Sequence, residues 1–91
     1  MAVTIKFFAY FREAFGGKEI EVSLAEAPTV GALLDRLGNT PERRAELFAG
    51  PALKPHLVIM VNGAPLTADR LLQAPLKDGD VVAIFPLLGG G

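Results

Sequence analysis

The segment TVGALLDRL, residues 29–37, has the clearest periodic pattern in the chain. Thr29 is a typical N-cap residue, and Gly38-Asn39 is a typical C-terminal stop. The apolar residues between them recur at i, i+3, i+4 and i+7, which places them on one stripe of a helix: Val30, Leu33, Leu34 and Leu37. We therefore predict one main amphipathic helix that buries this stripe against another layer.

Two strand patterns precede the helix. Residues 3–10, VTIKFFAY, are rich in β-branched and aromatic side chains. Residues 19–24, EIEVSL, alternate polar and apolar side chains, as in a strand with one buried face. Residues 11–15 are too short for an independent helix, and Gly16-Gly17 indicates a turn rather than a phosphate loop, because no Gly-x-x-x-x-Gly-Lys spacing surrounds it. The two strands are predicted to pair as an antiparallel hairpin.

The residues that follow the helix begin with a weaker helical pattern. We predict a second helix from Pro41 to Phe48, capped by Thr40. Residues 57–61, LVIMV, form a continuous apolar run that is typical of a strand covered on both faces. Asn62-Gly63 then predicts a tight turn.

The last third of the chain is less regular. Residues 64–79 predict irregular structure, with at most a short helical turn over 69–73. Asp78-Gly79 indicates another turn, and residues 80–85, DVVAIF, predict a last strand that Pro86 ends.

The predicted element order is therefore β-β-α-(α)-β-β, which favours an α+β domain. The β-grasp, or ubiquitin-like roll, has this order: a mixed sheet with one main helix packed on one face. We predict a β-grasp domain over residues 1–86 and a flexible C-terminal diglycine tail over residues 87–91.

Composition excludes several functional classes. The net charge of −1 argues against a nucleic-acid-binding protein, and the absence of cysteine excludes disulfides and thiolate chemistry. His56 is the single histidine, which makes a histidine-based metal site hard to build, and we assign it no role. No apolar run approaches the roughly 20 residues that span a bilayer, and no signal peptide is recognisable. We expect a cytoplasmic domain that binds no metal, cofactor, nucleic acid or membrane.

The C-terminus is the one candidate reactive element. After Leu87 and Leu88 the chain ends in three glycines, and glycine without a Cβ can enter a channel too narrow for side chains. A terminal carboxylate delivered in this way can be adenylated in a partner's active site and can then accept a sulfur or an amine nucleophile. The alternative is a frayed end or a cloning scar with no function.

Alternation predicts an exposed apolar face near this tail. If Phe7 and Ile84 face the main helix, then Phe8 and Phe85 lie on the opposite face, and exposed aromatic pairs are typical of interfaces. We expect Pro86, Leu87 and Leu88 to extend this surface into the tail. The alternatives are that residues 64–75 cover Phe8, or that the tail packs back on the domain. Arg12 and Glu13 are weaker candidates for partner contacts.

Four segments carry a resemblance to a known family: FFAYFRE (7–13), PTVGALLDRL (28–37), VNG (61–63) and LKDGDVVAIFPLLGGG (76–91). Together they resemble the MoaD/ThiS family of ubiquitin-like sulfur carriers over nearly the whole chain. The chain length and the Phe-Phe opening are closer to the MoaD branch than to the shorter ThiS branch.

The resemblance implies a mechanism completed by partners. An E1-like, MoeB-like adenylyltransferase uses ATP to activate the terminal glycine, which becomes a thiocarboxylate. The tail then enters the large, MoaE-like subunit of molybdopterin synthase and gives sulfur to precursor Z to form molybdopterin. By position, the resemblance assigns the reacting carboxyl to Gly91 and makes Gly90 its flexible neighbour. It also assigns Phe8 and Phe85 to a partner-binding face, with Leu66 alongside.

Two departures from the family pattern keep alternatives open. Three terminal glycines mean either that Gly89 lengthens the tail or that Gly91 is removed before activation. Residues 40–55 are longer than in compact members, a build shared with archaeal-type modifiers and other sulfur carriers. The chain can therefore also be a protein modifier that forms isopeptide bonds, a carrier for another pathway, or an interaction domain with an inert tail.

Overall fold

The protein is described by a computed structural model that covers residues 1–55, 57–67 and 70–86. Its strands are β1 (Ala2–Phe7), β2 (Glu19–Ser23), β3 (Phe48–Ala49), β4 (Ala52–Leu53), β5 (Leu57–Val61), β6 (Ala64–Pro65) and β7 (Val81–Pro86). Its helices are α1 (Phe11–Ala14), α2 (Val30–Leu37), α3 (Pro41–Leu47) and a 3₁₀ helix (Leu71–Gln73). The prediction of a separate tail over 87–91 falls outside the described residues, as does His56.

The main sheet is mixed and has the strand order β2-β1-β7-β5-β6. β1 pairs with β2 in an antiparallel hairpin and with β7 in parallel, and β5 pairs antiparallel with β7 and β6. β3 and β4 form a separate two-stranded hairpin. The parallel pairing of the first and last strands places β7 in the middle of the sheet.

The helix α2 packs its apolar stripe against one face of this sheet. All four residues of the stripe are buried in a core shared with the central strands, which supply Val3, Ile5, Phe7, Val82 and Ile84. The predicted β-grasp architecture, with one main helix on one face of a mixed sheet, is confirmed.

Both predicted helix caps are confirmed. The Thr29 hydroxyl accepts a hydrogen bond from the Ala32 N–H at 3.2 Å, and the Thr40 hydroxyl accepts one from the Arg43 N–H at 3.1 Å. The second helix ends at Leu47, one residue before the predicted end, because Phe48 has extended backbone angles and begins β3.

The first strand ends earlier than predicted. β1 stops at Phe7, and Ala9 adopts a left-handed backbone with φ of 56°, so the chain turns out of the sheet and forms the short helix α1. Burial drives this departure from the strand pattern, because the turn brings Phe11 and Phe15 into the core. The Phe15 ring stacks on Phe7 with the centroids 4.9 Å apart.

The prediction that both faces of β5 are covered is wrong. Ile59 is fully buried, but Val58 and Met60 are half-buried on the face away from α2. β6 lies in the segment predicted to be irregular, and β3 and β4 were not predicted either. Strands of two residues are too short to leave an alternating pattern. Among the described residues, no helix is long and apolar enough to cross a membrane.

Candidate functional site: an aromatic face beside the end of the last strand

The sheet face opposite α2 carries no helix in the described part of the chain, and we call it the open face. Strand register defines its residues, because side chains alternate between the two faces. Ile84 points to the core and pairs with Ile59, so Phe85 and its partner Val58 lie on the open face. Ala83 and its partner Met60 lie there as well.

The structure brings the two predicted aromatic residues together. The ring centroids of Phe8 and Phe85 are 5.7 Å apart, with an interplanar angle of 81°, which is a favourable edge-to-face arrangement. Phe8 remains 38% exposed, so the described residues of the segment 64–75 do not cover it. Whether a partner binds these rings stays a prediction.

These rings form part of a shallow apolar depression of about 400 Å³. We call its lining the aromatic face: Phe8, Ala9, Met60, Ala83, Phe85 and Pro86. Its surface is almost wholly apolar and it lies at the end of the sheet where the described chain stops. An exposed apolar depression of this kind is typical of a protein-binding surface.

Three of these residues were not predicted from the sequence: Ala9, Met60 and Ala83. Met60 was assigned to a strand covered on both faces. Its strand lies beside Phe85, whose predicted place on the open face already indicated an apolar surface there. Ala9 leaves no pattern at all, because its role is conformational. Its left-handed backbone ends β1 directly after Phe8, which leaves that ring on the open face while the following residues turn away.

Arg12 lies at the rim of the aromatic face. Its Nε donates a hydrogen bond to the Phe7 carbonyl at 3.2 Å, and its guanidinium carbon lies 5.8 Å from the Phe8 ring centroid. These contacts orient the Phe8 ring by a cation–π interaction and place a positive charge beside the apolar surface. Glu13, the other weaker candidate, is exposed on α1.

Leu66 does not join this group. Its N–H donates to the Ile59 carbonyl at 3.1 Å, so it lies opposite Ile59 and on the same face of the sheet. It packs against the core on the side of α2, whereas Phe8 and Phe85 lie on the other side. Sequence reasoning could not place Leu66, because the short strand β6 that sets its register was not recognised.

Pro86 is the last described residue and pairs with Leu57 across the sheet. The predicted site residues Leu87, Leu88, Gly90 and Gly91 lie outside the described part of the chain. Residues 86–91 in a fully extended conformation span at most roughly 20 Å. The aromatic face is therefore directly next to the point from which the C-terminal residues continue.

A polar cluster lies at the start of β7, where Asp80 accepts two hydrogen bonds. The described residues contain no cluster of three or more His, Cys, Asp or Glu side chains that could hold a metal ion. The pKa of Asp80 is lowered, first by a hydrogen bond from the Asn62 side chain and then by one from the Lys77 N–H. This carboxylate is structural, since Asn62 also bonds the backbone of Val81 and so clips β5 to the start of β7.

Comparison with known proteins agrees with the β-grasp fold. A sequence profile of the ThiS family matches residues 5–91. The chain belongs to this family, the ubiquitin-like β-grasp sulfur carriers that also include the MoaD proteins.

Individual relatives point to more than one use of the fold. The chain is 34% identical over 92 residues to small archaeal modifier protein 3 of Haloferax volcanii, with all of both chains covered. It is 35% identical over 89 residues to the molybdopterin synthase sulfur carrier subunit of Escherichia coli K12, with 98% of this chain and 99% of the relative covered. Among solved structures, the BexX/CysO complex of Amycolatopsis orientalis contains a similar chain with a TM-score of 0.80 and 28% identity, covering 99% of this chain and 100% of the other.

Proposed function

We propose that this protein carries sulfur as a thiocarboxylate on Gly91. The Gly91 carboxylate attacks the α-phosphate of ATP in a partner enzyme, pyrophosphate leaves, and an acyl-adenylate forms. Sulfide-level sulfur (hydrosulfide) from a donor then attacks the acyl carbon, and AMP leaves with one of the original carboxyl oxygens, so that sulfur replaces that oxygen. ATP is bound by the partner, and the chain itself is proposed to need no cofactor.

The observation that carries this proposal is the aromatic face beside Pro86. A carrier without catalytic groups must bind each partner and deliver its terminus to that partner's active site. The depression around Phe8 and Phe85 supplies an apolar docking surface at the end of the domain where the C-terminal residues begin. The family match, which extends to residue 91, adds support for the role of the terminal glycines.

For the pathway, we propose the small subunit of a molybdopterin synthase. Its partners are then a MoaE-like large subunit and a MoeB-like, E1-like adenylyltransferase, and the acceptor of the sulfur is precursor Z. The similarity to the Escherichia coli sulfur carrier subunit over nearly the full length supports this choice.

A second candidate function is protein modification, in which an amine of a target lysine attacks the activated Gly91 and forms an isopeptide bond. The specific observation in its favour is the match to the Haloferax volcanii modifier over the whole of both chains. The two functions share the activation step and differ in the nucleophile that follows it.

Reconstitution separates the two candidates. Chain bearing the thiocarboxylate is mixed with the large subunit encoded by the same genome and with precursor Z, and molybdopterin is measured as its fluorescent oxidation product. Product formation that stops when Gly90 and Gly91 are deleted supports the molybdopterin pathway. The opposite result is that no molybdopterin forms and that extracts of the native host contain proteins with a lysine joined to Gly91. That result would replace the molybdopterin pathway with the modifier function.

A further inference from the structure

A second surface, at the opposite edge of the sheet, has unused hydrogen-bonding capacity. β2 is the outermost strand, and the Phe7 N–H donates to the Lys18 carbonyl at 2.9 Å while the Leu24 N–H donates to the Met1 carbonyl at 3.1 Å. Since ladder bonds in an antiparallel pair fall on alternate residues, the even-numbered positions of this strand bond β1. The backbone groups of Glu19 and Glu21 therefore point away from the sheet.

Among the described residues, no turn or loop backbone group forms a hydrogen bond with these outward N–H and carbonyl groups. The C-terminal end of the edge is closed, because the Ser23 carbonyl already accepts hydrogen bonds from the N–H groups of Glu26 and Ala27. The open part of the edge thus spans Glu19 to Glu21, enough backbone to pair with a short added strand.

An open groove of about 530 Å³ lies along this edge, between β2 and α2. Its apolar lining comes from both elements and from the end of α1: Phe15, Ile20, Val22 and Leu37. The arginines that line it are already engaged, because Arg36 pairs with Glu26 at 3.2 Å and the Arg43 Nε donates to the Ala14 carbonyl at 3.2 Å. The rest of the lining is polar and includes Glu26, Asp35 and Asn39, so a side chain that enters the groove meets an apolar floor with a polar rim.

The other side of the same edge is acidic. Glu19 and Glu21 are exposed and project onto the open face, where only Lys6 and Thr4 of β1 lie opposite them. An added strand would place alternate side chains on these two sides, since side chains alternate along a strand. Residues above the groove would be apolar, and those beside the glutamates would be basic.

We propose that the β2 edge binds an extended segment of another protein in which apolar residues alternate with lysine or arginine. A second copy of this chain is a poor occupant, because edge-to-edge pairing of two β2 strands brings Glu19 and Glu21 close to their own copies, and like charges across a strand pair are destabilising. β1 separates β2 from β7, so this surface is distinct from the aromatic face. The proposal does not depend on the chemistry of Gly91.

Titration of the uniformly ¹⁵N-labelled full chain with short synthetic peptides tests this proposal. The probe is a heptapeptide of alternating lysine and valine, compared with the same peptide carrying glutamate for lysine and with one N-methylated on alternate residues. We expect saturable amide shifts in residues 18–23 and in α2, with a Kd below about 1 mM, and at least about tenfold weaker binding of both comparison peptides. Shifts confined to the aromatic face, no saturation, or equal binding of the lysine and glutamate peptides would overturn it.

Variants of the edge provide a second test. Glu21→Pro removes one outward N–H without removing a β1–β2 ladder bond, and proline is tolerated at such edge positions. We expect the lysine–valine peptide to bind this variant at least about tenfold more weakly, and Glu21→Lys to prefer the glutamate peptide. The control Glu42→Lys makes the same charge change on α3, at a residue that does not line the groove, and should bind like the parent. Unchanged binding of the lysine–valine peptide to Glu21→Pro would contradict strand addition. Glu19 and Glu21 would then serve only to keep the edge solvated.

Discussion

Ala9 is the residue on which the geometry of the aromatic face depends most. Its φ of 56° is a left-handed conformation, which costs an L-residue with a Cβ about 1–2 kcal/mol. The turn it makes leaves Phe8 on the open face and starts α1, whose Phe11 is buried. Strained residues often lie at functional sites, and this one lines the depression that we propose as a docking surface.

We expect Ala9→Gly to raise the free energy of unfolding, by up to about 1 kcal/mol, because glycine adopts a left-handed backbone without strain and offsets only part of this gain by its greater freedom in the unfolded chain. Urea denaturation measures this change. The matched control is Ala83→Gly in the extended strand β7, which should lower stability by about 0.5–1 kcal/mol. A loss of stability for Ala9→Gly as large as for Ala83→Gly would contradict the assignment of strain to Ala9.

Phe85 and Phe7 provide a test of which aromatic residues serve binding. Phe7 is 1% exposed and stacks on Phe15, so Phe7→Ala should cost about 3–5 kcal/mol of stability. Phe85 lies on the open face, so Phe85→Ala should cost less than about 2 kcal/mol and should weaken binding to the adenylyltransferase by at least about tenfold. Thermal unfolding and calorimetric titration measure the two effects. Binding that survives Phe85→Ala would remove the aromatic face from the proposed function.

At the scale of single elements, a polar clip holds the start of β7. Asp80 accepts hydrogen bonds from the Asn62 side chain at 2.9 Å and from the Lys77 N–H at 2.8 Å, and these lower its pKa below the ordinary value of 3.8. A carboxyl group whose pKa is lowered by folding stabilises the folded state above its unfolded pKa, and this stabilisation is lost as the pH falls through the folded pKa.

We therefore expect Asp80→Asn to lower the free energy of unfolding by about 1 kcal/mol at pH 7. The difference from the parent should shrink as the pH falls below about 4 and through the lowered folded pKa, because the parent's carboxyl group is then protonated first in the unfolded state and finally also in the folded state. Urea denaturation at pH 7 and at a pH below about 4 measures the difference in the free energy of unfolding between Asp80→Asn and the parent. Asp35→Asn, which removes an exposed ion pair with Arg44, serves as a control with a small effect at pH 7. An Asp80→Asn difference that is the same at both pH values would show that the charge of Asp80 is not what matters.

How well an element could be predicted depended on whether its signal is local. The helix α2 was predicted to within a residue, because its period and its Thr29 cap lie within nine residues of sequence. The proximity of Phe8 and Phe85 followed from alternation once the first and last strands were taken as neighbours. The place of Leu66 could not be predicted, because it depends on β6, which is too short to leave a pattern, and on its pairing with β5. The left-handed turn at Ala9 could not be predicted for a related reason. Its cause is the burial of Phe11 and Phe15 in the core, and that burial is not a local signal.

At the scale of the whole molecule, the domain and the reacting terminus are separable in this account. The buried residues of the described part of the chain lie between Val3 and Ile84. We expect deletion of Gly90 and Gly91 to change the thermal midpoint little, because chain termini contribute few contacts, and to abolish sulfur transfer completely. Calorimetry and the molybdopterin assay measure the two properties on the same preparation. A large drop in the thermal midpoint would mean that the terminal glycines are structural.

The two surfaces of the sheet divide the molecule into a face for delivering the terminus and an edge for a second partner. The aromatic face involves β5, β7 and the two residues that follow β1, whereas the proposed peptide edge involves β2 and α2. If both proposals hold, a carrier docked through its aromatic face can still be held by another protein through β2. Peptide binding at β2 should therefore be unchanged in Phe85→Ala, and an equal loss at both surfaces would show that they are coupled.

The most direct test of the central claim is the intact mass of the chain after incubation with the E1-like adenylyltransferase of its own genome, ATP and a sulfur donor. The account predicts a mass increase that corresponds to replacement of one oxygen by sulfur, located at Gly91 by fragmentation and absent without ATP. Chain lacking Gly90 and Gly91 should show no increase. An unchanged carboxylate at Gly91 in the complete reaction, with an enzyme shown to activate its other substrates, would contradict the account.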